Sequence, residues 1–519
     1  MPPFPVAALP LGLALAGLLC ACRREPAPAP NLLLLTIDTL RADRTSAYGY
    51  GRPTTPELEG LARSAALFER AYSQAPFTAP SHASLFTGLV SQSHGLLHWS
   101  SRLDPAAITF AEHFGAEGYR TGAFYNHASL PVTDLLRGFE HESKLAFDTY
   151  ERTLEALWAW LDADGKGRSG EQPFAIWLHF WDVHRPYGFR DWKPFEQYTP
   201  RRGAELELAF AEQGFGPPHD LRVGRLEEHY NVDAARRERA LPLPGGSPRP
   251  FGPADWLAIS DRYDNGVRYA DQGLGELLRG LEQRRLGDRT VLCVTSDHGE
   301  TLTERPGCWF THDPYLYEET LRVPLLFRFP GGRFAGVRSP ALARGIDVLP
   351  TLIEAAGVAP LETQGRSLLP VLAGRDDQTL PLFAQTQTRA AKESDARLPK
   401  DQQGAWLEHR QALFDGRFKL IRQIEPERLE LYDLAADPGE QRDLSTDPAG
   451  AAEAERLLGR LLDLERSLPS RGLGKRQQSA DELRVLHALG YISSEELEQQ
   501  LEALKGSTKP EGPSAGEPR

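Results

Sequence analysis

The chain has 519 residues, of which 40% are hydrophobic and 25% are charged. Because single hydrophobic cores stop growing at about 250–300 residues, this length is enough for one large α/β domain and a smaller one. The 59 basic and 72 acidic residues leave a formal net charge of −13, which argues against a nucleic-acid partner, since phosphate backbones are bound by basic faces.

The first 21 residues carry no charged side chain, and residues 7–19 form an apolar stretch with the length of a signal-peptide core. Leu19-Cys20-Ala21-Cys22 resembles the lipobox of bacterial lipoproteins. From this resemblance we expect lipid on Cys22 to anchor the protein in the bacterial cell envelope, on the periplasmic or extracellular face. The prolines of residues 22–30 would form an extended tether.

Three apolar runs are typical of buried strands in a parallel sheet, and polar side chains follow each of them. The runs and these side chains are residues 31–37 with Asp38, residues 174–180 with Asp182 and His184, and residues 289–295 with Asp297 and His298. Ligands of open α/β sheets gather at the carboxyl ends of strands, so these positions are site candidates. Asp38, Asp297 and His298 offer oxygen and nitrogen atoms that suit a hard or borderline divalent cation. Local sequence alone leaves Asp38 equally suited to cap a turn.

Thr78 lies two residues before Pro80, and the stretch ends on Thr87-Gly88. The fixed φ of proline suits the first turn of a helix, so this spacing predicts a helix that starts beside Thr78 and ends at Gly88. A helix N-terminus is partially positive, which favours an alkoxide on Thr78 and attracts an anionic ester. An ordinary helix cap is the competing interpretation.

The remaining pattern predicts helices over 55–66, 107–119 and 260–283, a helix from residue 347, and a strand over 119–124. Residues 200–255 lack periodicity and are interpreted as a surface excursion or lid. From about residue 380 the pattern changes to short strands, with a hairpin at Asp415-Gly416, and a helix follows over 449–468.

The predicted fold class is α/β, with a large, mostly parallel sheet sandwiched by helices and a small C-terminal antiparallel sheet with a helix. The expected division is a signal peptide over 1–21, the tether over 22–30, a catalytic domain over 31–379, a small C-terminal subdomain over 380–475, and helical pieces with a disordered tail over 476–519.

Six motifs, in order, resemble the sulfatase family of the alkaline phosphatase superfamily. They are Asn31 to Asp38 followed by Leu40-Arg41-Ala42-Asp43; Pro80-Ser81 through Thr87-Gly88; Asp182-Val183-His184-Arg185-Pro186-Tyr187; Ser296-Asp297-His298-Gly299-Glu300; Arg322-Val323-Pro324-Leu325; and Leu431-Tyr432-Asp433-Leu434 through Asp437-Pro438-Gly439-Glu440. The resemblance covers nearly the whole predicted mature chain. It implies an alkaline phosphatase-like fold, metal ligands at Asp38, Asp297 and His298, and a nucleophile at Thr78.

The nucleophile position departs from the sulfatase pattern. Sulfatases have Cys or Ser there and Arg four residues later, which allows oxidation to formylglycine, whereas this chain has Thr78 and His82. Threonine is not converted in that way, so we expect no formylglycine. The family's second acid is replaced by Thr39, which weakens the case for calcium.

The substrate contacts of the family also differ. In the family's Gly-Lys-Trp-His stretch, the Lys and His positions correspond to Asn126 and Ala128 of this chain. The neighbouring His127 remains as a candidate contact. The predicted substrate-binding residues are therefore Asn126, His127 and Asp182.

A threonine nucleophile resembles a different branch of the superfamily, the phosphoglycerol and phosphoethanolamine transferases and the nucleotide pyrophosphatase/phosphodiesterases. In that branch a metal lowers the pKa of the hydroxyl, and phosphate passes through phosphothreonine. The resemblance implies one divalent ion (Zn, Mn, Mg or Ca) held by Asp38, Thr78, Asp297 and His298, with room for a second ion. It also implies a histidine that protonates the leaving group, for which His184 and His312 are candidates; His82 completes the predicted catalytic set.

The expected activity is hydrolysis of phosphate monoesters or diesters, or of sulfate esters, in a small molecule, a glycan or a lipid head group. Three alternatives are a sulfuric ester hydrolase proper, a transferase of the phosphoglycerol or phosphoethanolamine type, and a catalytically silent lipoprotein that binds a glycan or lipid.

Overall fold

A computed structural model describes most of the chain between residues 28 and 469. The described ranges are 28–98, 101–126, 133–145, 149–163, 172–184, 240–241, 249–250, 253–302, 304–305, 312–390, 406–424 and 426–469, with the short pieces 479–480, 483–484, 497–498, 501–502 and 504. The predicted signal peptide, Cys22, His127 and most of the 200–255 excursion lie outside the described residues. Within these ranges, no helix has the length and apolar character needed to cross a bilayer.

The described residues form a nine-stranded sheet at the centre of the molecule. Its strands are β1 (Asn31–Ile37), β2 (Ala66–Tyr72), β3 (Arg120–Tyr125), β4 (His141–Lys144), β5 (Phe174–Phe180), β8 (Thr290–Thr295), β9 (Arg322–Val323), β10 (Leu325–Arg328) and β11 (Arg338–Arg344); β6 (Ala240–Leu241) and β7 (Arg249–Pro250) pair separately. The order is β11-β2-β10-β8-β1-β5-β3-β4, with β9 paired to β2. Strand β1 is parallel to both β5 and β8, so the three predicted apolar strands are adjacent.

Helices cover both faces of this sheet, which confirms the predicted sandwich. The described α-helices are α1 (Pro56–Ala62), α2 (Thr78–Thr87), α3 (Ser91–His94), α4 (Phe110–Ala116), α5 (Tyr150–Asp162), α6 (Pro253–Gln283), α7 (Glu318–Leu321), α8 (Val348–Ala356), α9 (Leu369–Leu372) and α10 (Pro448–Ser467). Of these, α10 packs on the C-terminal sheet and not on the large one. Side chains alternate between faces along a strand. Leu32 and Leu34 therefore pack with α2, α4 and α8, whereas Leu33 and Leu35 pack with α1, α5 and α6.

Strand β2 is the main element that the sequence pattern missed. We predicted one helix over 55–66, but α1 ends at Ala62 and a strand begins at Ala66. Glu69 and Arg70 interrupt the apolar run of this strand, so its local pattern is weak. Pairing with β10 and β11 decides its conformation.

The predicted C-terminal sheet is confirmed. It consists of four antiparallel strands, β12 (Leu382–Ala390), β13 (Trp406–Phe414), β14 (Phe418–Gln423) and β15 (Arg428–Asp433), with the hairpin turn at Gly416, where φ is +107°. Buried ion pairs join this sheet to the rest of the protein. Glu440 lies 2.7 Å from Nζ of Lys419, on β14, and 3.1 Å from Nη2 of Arg305, which precedes α7 in the chain.

The loop after β8 is held by a close backbone contact at Gly299. The Gly299 N–H donates to the carbonyl of Thr320 at 2.8 Å, and a Cβ on this glycine would lie 2.1 Å from the carbonyl oxygen of Glu319. Only a residue without a side chain fits here, so the path of Asp297 and His298 depends on this glycine.

Gly299→Ala should lower the free energy of unfolding by at least about 1–3 kcal/mol, because the added methyl group meets rigid backbone. Chemical denaturation measures this change. Gly51→Ala is the matched control, since a Cβ there meets nothing within 4 Å, and it should change the free energy of unfolding by less than about 0.5 kcal/mol. Equal losses in both variants would show that the close contact does not exist.

Asp271 joins α6 to the start of α1. Its carboxylate accepts hydrogen bonds from the N–H groups of Glu57 at 3.0 Å and Leu58 at 2.9 Å. Burial nevertheless raises the pKa of Asp271 to about 7, against about 3.9 in an unfolded chain. The native state therefore binds this proton more tightly. The resulting contribution to stability is complete below the unfolded pKa and is lost as the pH rises through about 7.

Asp271→Asn should weaken the pH dependence of stability, because the amide resembles the protonated carboxyl group. Between about pH 5 and about pH 8 the wild-type melting temperature should fall by more than that of the variant. Thermal unfolding at both pH values provides the measurement. A fall of the same size in both proteins would contradict the raised pKa.

Candidate metal centre and active site

Asp38, Asp297 and His298 come together at the carboxyl ends of adjacent strands. Asp38 follows β1, and Asp297 and His298 follow β8. All three are buried, and one potential ligand atom from each lies within 4.8 Å of the others. We refer to these three residues as the metal group. The juxtaposition predicted from the apolar runs is therefore present.

Three of the four carboxylate oxygens in this group accept no hydrogen bond from the part of the chain that the structure describes. They are Asp38 Oδ1, Asp38 Oδ2 and Asp297 Oδ2. Asp297 Oδ1, in contrast, accepts from the N–H groups of Thr39 at 3.2 Å and His298 at 2.9 Å. Buried charged oxygens without donors are costly unless a positive charge compensates them.

The pKa values of these three residues reflect their burial and the charges that lie close to them. Burial and then the charge of Asp297 raise the pKa of Asp38. Burial opposes the lowered pKa of Asp297, but His298, His82 and His179 together outweigh it. Burial likewise opposes the raised pKa of His298, which follows from the two carboxylates. A divalent cation at this position would therefore compete with a proton for the same atoms.

These residues fit a divalent cation. They supply two carboxylates with bare oxygens and one imidazole, a donor set that hard and borderline ions accept. His298 Nδ1 lies 2.8 Å from the carbonyl of Gly299 and donates to it, so Nε2 is the ring atom that would coordinate an ion.

Thr78 lies where the sequence predicted it, at the first residue of α2. The helix ends at Thr87 and is followed by Gly88, whose φ of +66° is the left-handed conformation expected of a terminating glycine. Thr78 Oγ1 is 3.3 Å from His298 Nε2. The hydroxyl is therefore beside the metal group and at the partially positive end of a helix.

His82 lies one turn further along α2, on the interior side. Its Nδ1 atom donates to the Thr78 carbonyl at 2.8 Å, and its Nε2 atom is 3.1 Å from Thr36 Oγ1. The ring packs against Trp177, and burial lowers the pKa of His82 to about 3. Its catalytic role stays a prediction, and its contacts hold the first turn of α2.

His312 and His184 line one side of the metal group. The His312 ring centroid is 4.4 Å from that of His298, and its Nδ1 atom is 3.2 Å from Glu300 Oε1. His184 is 5.7 Å from His312 between ring centroids and stacks on Trp181. The structure thus brings both candidate proton donors to the same side of the site.

Asn126 and Asp182 contact each other. Asn126 Nδ2 donates to Asp182 Oδ2 at 3.4 Å, and Asn126 Oδ1 accepts from the N–H of Trp181. Asp182 Oδ1 accepts from the N–H of Tyr150, at the start of α5. These bonds hold the loop after β5, and the predicted substrate contacts stay predictions.

The sequence analysis missed a histidine on β5. His179 is fully buried; its Nδ1 atom lies 2.8 Å from Thr36 Oγ1 and its Nε2 atom 3.3 Å from Asp38 Oδ2. Burial lowers the pKa of His179 to about 4, although Asp297 opposes this. The only signal was a polar residue within an otherwise apolar strand. Ser296 was also missed: its Oγ atom accepts from the N–H of Leu40 at 2.9 Å and ties the ends of β8 and β1 together.

Comparisons with known proteins agree with this geometry. The family model described as Sulfatase matches residues 30–358. The chain is 26% identical to the choline-sulfatase of Rhizobium meliloti (strain 1021) over 484 residues, which cover 82% of this chain and 84% of that protein. It is 24% identical to the multifunctional alkaline phosphatase superfamily protein PehA of Trinickia caryophylli, with 81% of this chain and 92% of that protein covered.

Solved structures show the same fold. The crystal structure of the phosphonate monoester hydrolase of Agrobacterium radiobacter superimposes with a TM-score of 0.59 at 22% identity, covering 84% of this chain and 95% of that one. Family match, sheet architecture and site geometry agree: the chain belongs to the sulfatase family of the alkaline phosphatase superfamily and is an ester hydrolase.

Proposed function

We propose that the protein is a metal-dependent hydrolase of phosphate or sulfate esters in which the Thr78 hydroxyl is the nucleophile. One observation carries the proposal: Thr78 Oγ1 lies at the N-terminus of α2 and is 3.3 Å from Nε2 of His298, a member of the metal group. A bound cation would lower the pKa of this hydroxyl and offset negative charge on the ester oxygens.

The reaction follows a double displacement. Thr78 Oγ1 forms a bond to phosphorus or sulfur while the bond to the leaving alcohol breaks, and the hydroxyl proton leaves to solvent. Water then attacks the covalent threonine ester, which releases the acid and restores the hydroxyl. The N–H groups at the start of α2 favour the anionic ester at this position.

His312 is the better placed of the two proton donors. A carboxylate that accepts from one ring nitrogen stabilises the imidazolium form and orients the other nitrogen. Glu300 Oε1 is 3.2 Å from His312 Nδ1, so this histidine is suited to protonate the leaving oxygen. His184, 5.7 Å away between ring centroids, then contacts the leaving group.

Phosphate esters are the favoured substrates. A threonine hydroxyl suits phosphoryl transfer through phosphothreonine, whereas the sulfatase reaction uses formylglycine, for which Thr78 is no precursor. Sulfate esters and phosphonate monoesters are the substrates to compare with phosphate esters, because the similar proteins include a choline-sulfatase and a phosphonate monoester hydrolase. The lipid anchor at Cys22 and the location in the cell envelope are part of this proposal and rest on residues 1–22.

Thr78→Ala should reduce kcat/KM by at least about 10³-fold for every ester cleaved, because the nucleophile is lost. Thr78→Ser keeps a hydroxyl and should retain much more activity. Thr87→Ala is the matched control on the same helix. Among the residues that the structure describes, the Thr87 side chain bonds only to local backbone, so this variant should keep wild-type activity.

Turnover of an aryl phosphate, a bis-aryl phosphate, an aryl phosphonate monoester and an aryl sulfate provides the measurement for this series. Circular dichroism confirms that each variant folds. If Thr78→Ala keeps wild-type turnover, the hydroxyl is only a helix cap; if the aryl sulfate is the best substrate, the preference for phosphate esters is wrong.

Removal of divalent ions by a chelator should abolish hydrolysis and lower the melting temperature. An ion present at 100 times its Kd stabilises the native state by about 2.7 kcal/mol. Differential scanning calorimetry with and without chelator measures the shift. Asp38→Asn, which removes one carboxylate charge, should show a much smaller shift. Unchanged melting and undiminished turnover in the chelated wild-type protein would contradict metal dependence.

A further inference from the structure

The Thr36 hydroxyl, on β1, is the meeting point of three buried ring nitrogens. Trp177 Nε1 is 2.9 Å away, His179 Nδ1 2.8 Å and His82 Nε2 3.1 Å. All four residues are fully buried. A hydroxyl has one proton to donate and two lone pairs to accept with, so this cluster has little freedom in how its hydrogens are arranged.

The partners of the cluster determine where each proton lies. Trp177 Nε1 is always a donor and takes one lone pair of Thr36. His82 Nδ1 lies 2.8 Å from the Thr78 carbonyl, which can only accept, so His82 carries its proton on Nδ1. In the neutral ring its Nε2 atom must then accept the Thr36 proton.

The remaining lone pair of Thr36 can therefore accept only from His179. It follows that His179 carries its proton on Nδ1 and a lone pair on Nε2. That Nε2 atom lies 3.3 Å from Asp38 Oδ2. Two lone-pair donors at this separation repel unless a positive charge is shared between them.

We propose that His179 Nε2 is a further ligand of the cation, which completes a set of two carboxylates and two imidazoles with Asp38, Asp297 and His298. The inference rests on the cation of the proposed function. His179 lies outside the group of three whose ligand atoms are mutually within 4.8 Å, and its Nε2 atom is 3.3 Å from one of that group's oxygens.

The spacing within two pairs of neighbouring donors supports this set, although the donor atoms of all four residues do not lie within 4.8 Å of one another, so a shared ion would have to draw His179 closer to the other three. Ligands at about 2.0–2.1 Å from a tetrahedral zinc ion are about 3.3 Å apart. His179 Nε2 is 3.3 Å from Asp38 Oδ2, and His298 Nε2 is 3.4 Å from Asp297 Oδ2. Both histidines use Nε2 while Nδ1 donates to a fixed oxygen, which is how ligating imidazoles are normally oriented.

The second imidazole determines which metal the site prefers. Calcium and magnesium take oxygen ligands almost exclusively, whereas two nitrogens and two oxygens suit zinc. The site should therefore bind Zn²⁺ much more tightly than Ca²⁺, and His179 should be responsible for a large part of that difference. Thr36 and His82 support the ligand by fixing its tautomer.

The test is Zn²⁺ affinity of the metal-free full-length protein, measured by competition with a chromophoric chelator and without any ester present. His179→Asn places an amide where Nδ1 was, so it can still donate to Thr36, but it removes the nitrogen that faces Asp38. We expect its Kd for Zn²⁺ to rise by more than about 100-fold, beyond the loss typical of a supporting residue. Its preference for Zn²⁺ over Ca²⁺ should fall in parallel.

Four further variants separate ligation from packing. His179→Gln places its amide near Nε2 and should lose less affinity than His179→Asn. Thr36→Val removes the hydroxyl that orients the ring and should raise the Kd by about 10–100-fold, whereas Thr36→Ser should not. His94→Asn is the matched control for loss of a fully buried imidazole, since His94 bonds to Ser84 and Leu96 instead, and its Kd should stay unchanged.

The outcomes distinguish this inference from the proposed function. If His179→Asn binds Zn²⁺ within about tenfold of wild type, or if wild type prefers Ca²⁺, His179 is not a ligand, while hydrolysis that depends on Thr78 and a metal would still stand. A proton shared between Asp38 and His179 would give that result. A wild-type protein that binds no divalent ion would overturn both proposals. If His179→Asn does not fold, Thr36→Val against Thr36→Ser decides the question.

Discussion

Two carboxylates buried at the ends of adjacent parallel strands determine the organisation of this protein's centre. Asp38 and Asp297 follow β1 and β8, and three of their four oxygens accept no hydrogen bond within the described ranges. Burying like charges together costs free energy in both hydration and repulsion. The arrangement therefore requires a compensating positive charge, as a proton on Asp38 or His298 or as a divalent cation, and the surrounding structure keeps these oxygens available for it.

The neighbouring elements add donors without adding permanent charge. His82 and His179 are fully buried with lowered pKa values, so they act as neutral imidazoles with defined tautomers. Thr78 contributes a neutral hydroxyl at the positive end of α2. In the proposed reaction, a cation and the helix terminus would each favour the alkoxide form of this buried hydroxyl. Rigid neighbours, Gly299 above all, keep these groups in place.

Much of the fold could be predicted from the sequence, because the parallel strands are buried on both faces and so appear as continuous apolar runs. The strands that begin near residues 31, 174 and 290 were recognised in this way, and so was the hairpin at Asp415-Gly416. Strand β2 was not, since Glu69 and Arg70 break its pattern and its partners come from more than 250 positions away. Asn126 and Asp182 were placed near the site, but their mutual hydrogen bond had no local signal.

By itself the sequence determined the family, the grouping of Asp38, Asp297 and His298, and the position of Thr78 at the start of a helix. These features follow from ordered motifs and from short-range rules about strands and helix ends. Tertiary structure alone decided that Thr36 and His179 belong to the same centre. Their side chains are 143 positions apart and meet only through the parallel register of β1 with β5. The tautomer of each buried histidine likewise depends on partners that folding supplies, which is why no local pattern could predict the atom that faces Asp38.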